Sequence, residues 1–271
     1  MKFDLMVCDY DGTIAEKGTT KIDSEVVESI KRFIKNGGKF AICSGRPYAS
    51  VKKIMDDHGI EGYIMAEQGA VIGYSKNDEI IVSNGFEIED CVQLIKKFLE
   101  EDQTVVAYAA REYYYQTHSP MIEFFEKRLG VKGVKVDNLI EFIQTRKIKI
   151  ARVALLSKEE CINYYVDKYN SIYNFNKIIF NSGSKNMVES ISSNYHKGFA
   201  VKFLAEYLNI PFEKIIAVGD STNDIPLLKG EWHGVAVGDG RDELKAVADE
   251  VTVPFKDKPV KTLLEKYCLN D

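Results

Sequence analysis

The chain has 271 residues, of which 45% are hydrophobic and 28% are charged, and its formal net charge at pH 7 is −5. These proportions are ordinary for a globular protein that buries a core in one large or two modest domains. The acidic balance argues against a dedicated nucleic-acid-binding protein, so no nucleic-acid partner is expected. No apolar segment approaches the length that spans a bilayer, so no membrane partner is expected either.

Cysteine usage and the first residues both favour a cytoplasmic protein. The five cysteines are odd in number and scattered, and none forms a Cys-x-x-Cys pair. Neither a disulfide framework nor a zinc site is therefore predicted. The opening MKFDLMVCDYDG has one lysine, a short apolar run and then acids, which is typical of a first strand and not of a signal peptide.

The first part of the chain alternates between strands and helices. A buried strand is followed by the sequence DYDGT, an amphipathic helix, a strand, a second helix and a third strand. The three strands are predicted at Leu5 to Cys8, Lys39 to Cys43 and Tyr63 to Ala66. The first helix is predicted at Ser24 to Lys35, and the second follows Ser44-Gly45-Arg46-Pro47 and ends at about Asp57. This order is typical of a parallel sheet with right-handed crossovers.

The middle of the chain has a different character and is rich in Tyr, Phe and Lys. It predicts helices at Glu89 to Glu100 and Pro120 to Leu129, and strands at Thr104 to Ala109, Tyr113 to Thr117, Lys149 to Leu156 and Lys177 to Asn181. Two such runs of helix and strands favour an α+β domain on an antiparallel sheet.

The strand and helix alternation then returns. An amphipathic helix is predicted at Lys197 to Leu208, with Phe199, Ala200, Phe203, Leu204 and Leu208 facing inward, followed by strands at Lys214 to Val218 and Val235 to Val237. The predicted fold class is therefore α/β, with a doubly wound, Rossmann-like parallel sheet interrupted by an α+β domain. The core is expected to comprise residues 1–83 and 188–271, and the inserted domain residues 84–187.

Four polar motifs lie where a doubly wound sheet places its ligands, at strand carboxyl ends or at a helix N-terminus. Asp9 and Asp11 follow the first strand two residues apart, so both carboxyl groups can face one pocket. The other motifs hold Ser44 and Gly45 after the second strand, Lys197 at a helix start, and Asp220, Asn223 and Asp224 after a later strand.

The pooled chemistry of these motifs is two acid clusters, one lysine and one hydroxyl. Acid clusters bind a hard divalent cation, and the lysine and Ser44 suit an anion, so together they frame a phosphoryl group. A second carboxylate nearby is expected to raise the pKa of Asp11, which would suit this group to acid catalysis near neutral pH.

DYDGT, SGR, Lys197-Gly198 and GDSTND, in this order, resemble the four motifs of the haloacid dehalogenase superfamily of aspartyl phosphotransferases. The insertion between the second and third motifs is similar to the large cap of the Cof-type hydrolases, and the resemblance covers essentially the whole chain. It implies that Asp9 is the nucleophile that becomes an aspartyl phosphate. It also implies that Asp11 protonates the leaving alcohol and then takes a proton from water.

The resemblance further implies binding roles around a Mg²⁺ cofactor. Asp9, the main-chain carbonyl of Asp11, and Asp220 would bind the ion, and Asp224 would orient Lys197 or the waters of the metal. The residues implied for the phosphate are Ser44, Gly45, Arg46, Lys197 and Asn223, the last with contacts to the phosphate or to the metal shell. For Arg46 two readings stay open, a contact with substrate or a surface salt bridge.

Charged and aromatic residues of the inserted domain suit more than one role. Alternation along the strands favours core positions for most of the aromatic set Tyr108, Tyr113, Tyr114, Tyr115, His118 and Phe125, over a stacking platform for a ligand. Arg111 and Lys149 are expected to be solvated surface charges, although either could meet a second anionic group of a substrate.

The expected function is a Mg²⁺-dependent phosphatase that hydrolyses a small phosphorylated metabolite, such as a sugar phosphate, as a monomer or a homodimer. One alternative is a phosphomutase of the same fold. Another is a non-catalytic phosphate-sensing module, against which the full set of Asp11, Lys197 and Asp220 argues. A Rossmann oxidoreductase is poorly supported because no Gly-x-Gly-x-x-Gly follows the first strand.

Overall fold

The computed structural model describes residues 1–173 and 178–269. Two sheets dominate these residues, one of eight strands and one of six. The first sheet is built from β1 (Leu5–Cys8), β2 (Lys39–Cys43), β3 (Tyr63–Ala66), β4 (Val71–Tyr74), β5 (Glu79–Ser83), β12 (Ile215–Gly219), β13 (His233–Ala236) and β14 (Glu250–Val251). Its helices are α1 (Ser24–Lys35), α2 (Tyr48–His58), α7 (Lys197–Leu208), α8 (Ile225–Leu228), α9 (Asp242–Lys245) and α10 (Pro259–Leu264).

The first sheet has the strand order β14-β13-β12-β1-β2-β3-β4-β5. All neighbours from β14 to β3 are parallel, which confirms the predicted α/β core. β4 is antiparallel to the predicted strand β3, and β4 and β5 form a hairpin at the sheet edge that the sequence did not predict. The strand β1 lies between β12 and β2 and is buried on both faces, as expected for its uninterrupted apolar run.

The second sheet, which we call the cap sheet, has the strand order β10-β11-β9-β6-β7-β8 and is antiparallel except between β7 and β8. Its strands are β6 (Thr104–Ala109), β7 (Tyr113–Tyr115), β8 (Val134–Lys135), β9 (Ile150–Leu156), β10 (Ile178–Ser184) and β11 (Met187–Ser192). Its helices are α3 (Ile88–Leu99), α4 (Pro120–Leu129), α5 (Leu139–Arg146) and α6 (Ile162–Ile172).

The cap sheet continues to Ser192, past the boundary that the sequence places between residues 187 and 188. β5 of the first sheet ends at Ser83, the other predicted boundary. The division into two domains stays a prediction, but β11 pairs with β9 and β10 and is part of the cap sheet. Lys177, the predicted first residue of β10, lies outside the described residues.

The two faces of the cap sheet have different partners. Val105, Ala107 and Val153 face a core that includes residues of α3, α5 and α6. The opposite face carries Tyr108 and Met187 and packs with α4. Because Tyr108 pairs with Arg152 in the strand register, and side chains alternate along a strand, this second face also presents polar groups towards the first sheet.

The packing of α7 differs in part from the prediction. Ala200 and Leu204 are buried as expected, but Val201 and Ala205 complete the buried stripe, whereas Phe199, Phe203 and Leu208 are only half-buried. Small residues permit a close approach here: a Cβ at Gly198 would lie 2.2 Å from the carbonyl oxygen of Pro226. Within the described part of the chain, no helix combines the length and apolar character needed to cross a bilayer.

Candidate active site

Asp9 and Lys197 meet at the carboxyl end of the first sheet. Asp9 directly follows β1, and its amide donates to the carbonyl of Val218 at 2.8 Å. The ammonium of Lys197, at the start of α7, donates to Asp9 Oδ1 and to Asp224 Oδ1, both at 2.6 Å. The Lys197 side chain is 1% exposed, so a buried cation joins two acids from different loops.

The surroundings shift the pKa values of this pair in a coupled way. Burial alone would lower the pKa of Lys197, but the charges of Asp224 and Asp9 outweigh burial and raise it. Burial and the charge of Asp224 raise the pKa of Asp9, and Lys197 only partly opposes them. Further positive charge beside Asp9 would therefore favour the ionised, nucleophilic carboxylate.

Asp224 is fully engaged by its neighbours. Its Oδ1 accepts from Lys197, and its Oδ2 accepts from the amides of Asp220 at 3.1 Å and Ser221 at 3.0 Å. A reciprocal capping box with Ser221 closes the loop after β12. Asp224 thus holds Lys197 in place and shapes the loop, the first of the two roles implied for it.

The acids beside Asp9 fit a divalent cation. Single oxygens of Asp9, Asp220 and Asp224 lie within 4.8 Å of one another. Asp220 Oδ1 is buried without a hydrogen-bond partner, while Oδ2 contacts the ammonium of Lys17 at 2.6 Å. Because hard cations prefer carboxylate oxygens, and one such oxygen is left unpaired, the cluster is compatible with Mg²⁺.

A tight turn lets the Asp11 loop approach Asp220. Gly12 has a φ of +91°, and a Cβ there would lie 2.6 Å from Asp220 Oδ2. The turn therefore requires glycine both for its backbone conformation and for the close contact.

Asp11 is held by an arginine instead of facing Asp9 freely. Arg46 Nε donates to Asp11 Oδ2 at 2.7 Å and Arg46 Nη2 donates to Oδ1 at 2.8 Å, while the Gly18 amide donates to Oδ1 at 2.8 Å. Burial alone would raise the pKa of Asp11, but Arg46 and Gly18 outweigh it and hold the pKa below its ordinary value. The predicted upward shift is wrong because the sequence did not reveal this pairing.

Of the two predicted alternatives for Arg46, the surface salt bridge is wrong, and a contact with substrate stays a prediction. It is 5% exposed, so it does not form a surface salt bridge, and its partner is Asp11. Arg46 Nη2 also donates to the carbonyl of Thr19 at 2.8 Å, and the guanidinium stacks 4.6 Å from the ring centre of Tyr10. The arginine therefore organises the loop that carries Asp11.

A cavity of about 190 Å³ opens in front of these groups. From the first sheet it is lined by Asp9, Asp11, Ser44, Gly45, Arg46 and Asn223, and from the cap by Tyr108, Phe125, Arg128, Arg152, Met187 and Glu189, among others. The predicted phosphate-binding residues are thus brought together, except that Lys197 does not line this cavity: it contacts Asp9 and lines an adjoining cavity with Asn223. Asp220 and Asp224 are not among the lining residues of this cavity.

Residues 6–264 match the family model of the haloacid dehalogenase-like hydrolases. The chain belongs to that family. This confirms the predicted family and the predicted class of enzyme, a haloacid dehalogenase-type phosphatase.

Two relatives of this hydrolase cover almost its full length. The 5-amino-6-(5-phospho-D-ribitylamino)uracil phosphatase YitU of Bacillus subtilis is 23% identical, over 97% of each chain. The phosphoglycolate phosphatase 1 of Saccharolobus solfataricus is 24% identical, over 97% of this chain and 94% of its own.

Solved structures share the complete fold. A haloacid dehalogenase-like hydrolase from Bacteroides thetaiotaomicron aligns with a TM-score of 0.86 and 20% identity over 98% of this chain and 99% of its own. A HAD subclass IIB sugar phosphatase aligns with a TM-score of 0.77 and 19% identity over 97% of this chain and 98% of its own.

The hydrolase also has a buried ionic contact between its cap sheet and its first sheet, which the sequence reading missed. Arg152 of β9 contacts Glu67 Oε2 through Nε at 2.8 Å and Glu189 Oε2 through Nη1 at 2.6 Å. Its guanidinium lies 4.1 Å from the ring centre of Tyr108. Gln68 Nε2 donates to Glu189 Oε1 at 3.0 Å, which adds a second link across the interface.

Glu67 and Gln68 follow β3 at the carboxyl edge where the other motifs lie. That position is the signal that could have identified them. Burial, and secondarily the charge of Glu189, raise the pKa of Glu67 to about 7, although Arg152 opposes the shift. Gln68 Oε1 in turn accepts from Asn223 at 3.5 Å, so the interface reaches the predicted phosphate-binding residues.

The other predictions for the cap have mixed outcomes. Tyr108, Tyr113, Tyr114, Tyr115 and Phe125 are buried, as predicted for core positions, although Tyr108 and Phe125 also line the cavity. Arg111 is half-exposed but pairs with Asp78 of the first sheet's hairpin, so it is not simply solvated. Lys149 is exposed.

Proposed function

We propose that this hydrolase is a Mg²⁺-dependent phosphatase of small phosphorylated metabolites that works through an aspartyl phosphate on Asp9. The observation that carries the proposal is the position of Asp9, which lines the cavity on one side and contacts the buried Lys197 on the other. A phosphate placed in this cavity meets a carboxylate nucleophile whose charge is partly balanced by the lysine.

The residues that would hold Mg²⁺ are Asp9, Asp220 and the main-chain carbonyl of Asp11. When bound, the ion supplies positive charge that favours the ionised form of Asp9 and reduces its repulsion with the phosphate dianion. Asp224 keeps Lys197 directed at Asp9, and Ser44, Gly45 and Asn223 bind the phosphoryl oxygens and oppose the charge that develops there.

In the first step an oxygen of Asp9 forms a bond to phosphorus while the bond from phosphorus to the ester oxygen breaks. The leaving oxygen takes a proton from Asp11. In the second step Asp11 removes a proton from a water molecule whose oxygen attacks phosphorus, and the bond from phosphorus to Asp9 breaks, which releases inorganic phosphate. Asp11 returns to its protonated form and Asp9 to its carboxylate.

The pairing of Asp11 with Arg46 has a consequence for this sequence of steps. A carboxylate held by a guanidinium stays ionised, and an ionised group cannot protonate a leaving alcohol. Because Arg46 also lines the cavity, we propose that a phosphate ester competes for its guanidinium and loosens its hold on Asp11. The loosened carboxyl group can then take and release protons.

The relatives support a small substrate. The relatives described above include phosphatases of phosphoglycolate and of a phosphorylated ribitylaminouracil. All five cysteines are free thiols, which suits a reducing compartment, and we propose the cytoplasm. A monomer or homodimer stays the expected assembly.

The test is release of inorganic phosphate from a panel of sugar phosphates, carboxylated phosphate esters and p-nitrophenyl phosphate, with Mg²⁺ or with EDTA. We expect Mg²⁺-dependent turnover that falls at least about 10³-fold in Asp9→Asn. Asp167→Asn, which changes an exposed acid on α6, is the matched control and should retain full activity. Full activity in Asp9→Asn would overturn the mechanism.

Two other results would favour the alternatives from the sequence. An isomerised sugar phosphate in place of free phosphate would indicate a phosphomutase. Tight binding of the phosphate esters without any turnover would indicate a sensing module.

A further inference from the structure

Arg128 occupies a fixed position where α4 meets the first sheet. The hydroxyl of Ser50 donates to the carbonyl of Leu129 at 2.6 Å, and Arg46 Nη1 donates to the carbonyl of Arg128 at 3.4 Å. The end of α4 is therefore attached to α2 and to the arginine that holds Asp11. The side chain of Arg128 lines the same cavity as Asp9 and Asp11.

The side chain of Arg128 lies against the loop that positions Asp11. A Cβ at Gly18 would be 3.4 Å from Arg128 Nε and 3.9 Å from Cζ, so the guanidinium packs over this glycine. The amide of the same Gly18 donates to Asp11 at 2.8 Å. The guanidinium is thus close enough to Asp11 for its charge to contribute to the lowered pKa of that acid.

Arg128 differs from the other cations that line the cavity. Lys17 contacts Asp220, Arg46 contacts Asp11, and Arg152 contacts Glu67 and Glu189. Across residues 1–173 and 178–269, the Arg128 guanidinium forms no ion pair and no hydrogen bond. Its five N–H donors are therefore available to a ligand, in a planar arrangement that matches a carboxylate or a phosphate.

The walls around Arg128 limit what else a substrate can offer. Phe125, Leu129 and Met187 are apolar and line this part of the cavity. Glu189 is already satisfied by Arg152 and Gln68, so it offers little to a neutral hydroxylated ligand. A cation without a partner beside apolar walls favours an anion over a polyhydroxylated group.

We propose that Arg128 determines specificity by binding a second anionic group, a carboxylate or a second phosphate, on the leaving-group side of the phosphate ester. The inference rests on the proposed function, because it assigns the substrate class of that same site. The substrate would be a short phosphate ester with two anionic ends, one at Asp9 and one at Arg128.

The experiment compares matched esters that differ only at the distal group. 3-Phosphoglycerate carries a carboxylate where glycerol 3-phosphate carries a hydroxymethyl group, and fructose 1,6-bisphosphate adds a second phosphate to fructose 6-phosphate. The values of kcat/KM for all four are measured in the wild type, Arg128→Met, Arg128→Lys and Lys127→Met. Lys127 is the matched control because it is an exposed cation on the same turn of α4 and does not line this cavity.

The wild type should prefer at least one ester that carries a second anionic group, 3-phosphoglycerate or fructose 1,6-bisphosphate, over its matched partner. In Arg128→Met that preference, taken as the ratio of kcat/KM within a matched pair, should fall by about 10- to 100-fold. Arg128→Lys should keep part of the preference, because it keeps the charge without the planar pair of donors, and Lys127→Met should keep all of it. The responsive pair identifies the second group as a carboxylate or a phosphate.

Equal losses of kcat/KM for both members of each pair would show a structural role for Arg128 and overturn the inference. A wild type without any preference for the esters with a second anionic group would overturn it as well. Both results leave the proposed phosphatase function intact. A wild type that hydrolyses no ester of any kind would instead reject the function itself.

Discussion

Two buried ionic clusters flank the cavity, and each has one cation between two carboxylates. In the catalytic cluster Lys197 contacts Asp9 and Asp224, each at 2.6 Å. In the interface cluster Arg152 contacts Glu67 at 2.8 Å and Glu189 at 2.6 Å. The cations are 1% and 2% exposed, so burial does not separate the two clusters.

The clusters differ in how completely their acids are satisfied. In the catalytic cluster Asp224 accepts two backbone amides as well as Lys197, which fixes the cluster within one sheet. In the interface cluster both oxygens of Glu67 are buried without a well-aligned hydrogen bond, despite the short contact with Arg152. A buried charge with incomplete partners is costly, so we expect Glu67 to be less well stabilised than Asp224.

Backbone strain adds to this difference. Glu67, Gln68 and Gly69 have successive φ values of 50°, 59° and 100°. Residues other than glycine rarely adopt this left-handed backbone region. A residue held in a sparsely populated backbone conformation costs on the order of 1–3 kcal/mol. The loop after β3 therefore depends on its contacts with the cap, whereas the loop after β12 is held by its own capping box.

The largest effect is expected from Lys197→Met, which removes the cation of the catalytic cluster. Two buried acids then lose their partner, so the free energy of unfolding should fall by about 3–5 kcal/mol and kcat/KM by at least about 10²–10³-fold. Urea denaturation and phosphate release measure the two effects. Lys202→Met, an exposed position on the same helix, is the control and should change neither. A stable and active Lys197→Met variant would show that Asp9 and Asp224 do not need this cation.

Arg152→Met makes the corresponding change in the interface cluster. Glu67 and Glu189 would then be buried without their cationic partner. This should lower the free energy of unfolding by several kcal/mol, of the same order as for Lys197→Met. Because Glu67 is poorly satisfied even in the wild type, the added substitution Glu67→Gln should restore part of the loss, as measured in a double-mutant cycle. A cycle without coupling energy would show that Arg152 and Glu67 do not act as a pair.

The same comparison explains what the sequence could and could not predict. The catalytic cluster is encoded in short motifs, because Asp9, Lys197 and Asp224 each follow a strand or open a helix of one parallel sheet. Cys8 of β1 is aligned with Val218 of β12 and Ile42 of β2, so the loops after these strands meet at one edge. Knowing the elements was therefore enough to bring the acids and the lysine together.

The interface cluster has no such local signature. Glu67 precedes the second sheet in sequence, Arg152 lies within β9 and Glu189 within β11, and they meet only through strand register and cap docking. Arg152 faces the first sheet because it pairs with Tyr108 on the same side of the cap sheet. The predicted pKa shift of Asp11 was wrong for a related reason, because the sequence did not indicate that Arg46 pairs with Asp11. Long-range charge pairing requires the structure.

The smallest expected effect concerns pH and tests the interface cluster alone. Glu67 contacts Arg152 of β9 and lies within reach of the charge of Glu189 of β11 and of Tyr108 of β6, and burial raises its pKa from 4.5 to about 7. The folded state then binds a proton that the unfolded state has released between about pH 4.5 and pH 7, so Glu67 lowers the stability of the wild type as pH rises through this interval.

Glu67→Gln removes this titration. Between pH 4.5 and pH 7.5 the free energy of unfolding of the wild type should therefore fall, relative to that of the variant, by up to about 3 kcal/mol. Urea denaturation at both pH values measures it, with the exposed Glu160→Gln as the control. A shift in favour of the wild type would mean that the attraction of Arg152 exceeds the cost of burying Glu67. The interface cluster would then be as well satisfied as the catalytic one, and the contrast between them would rest on backbone strain alone.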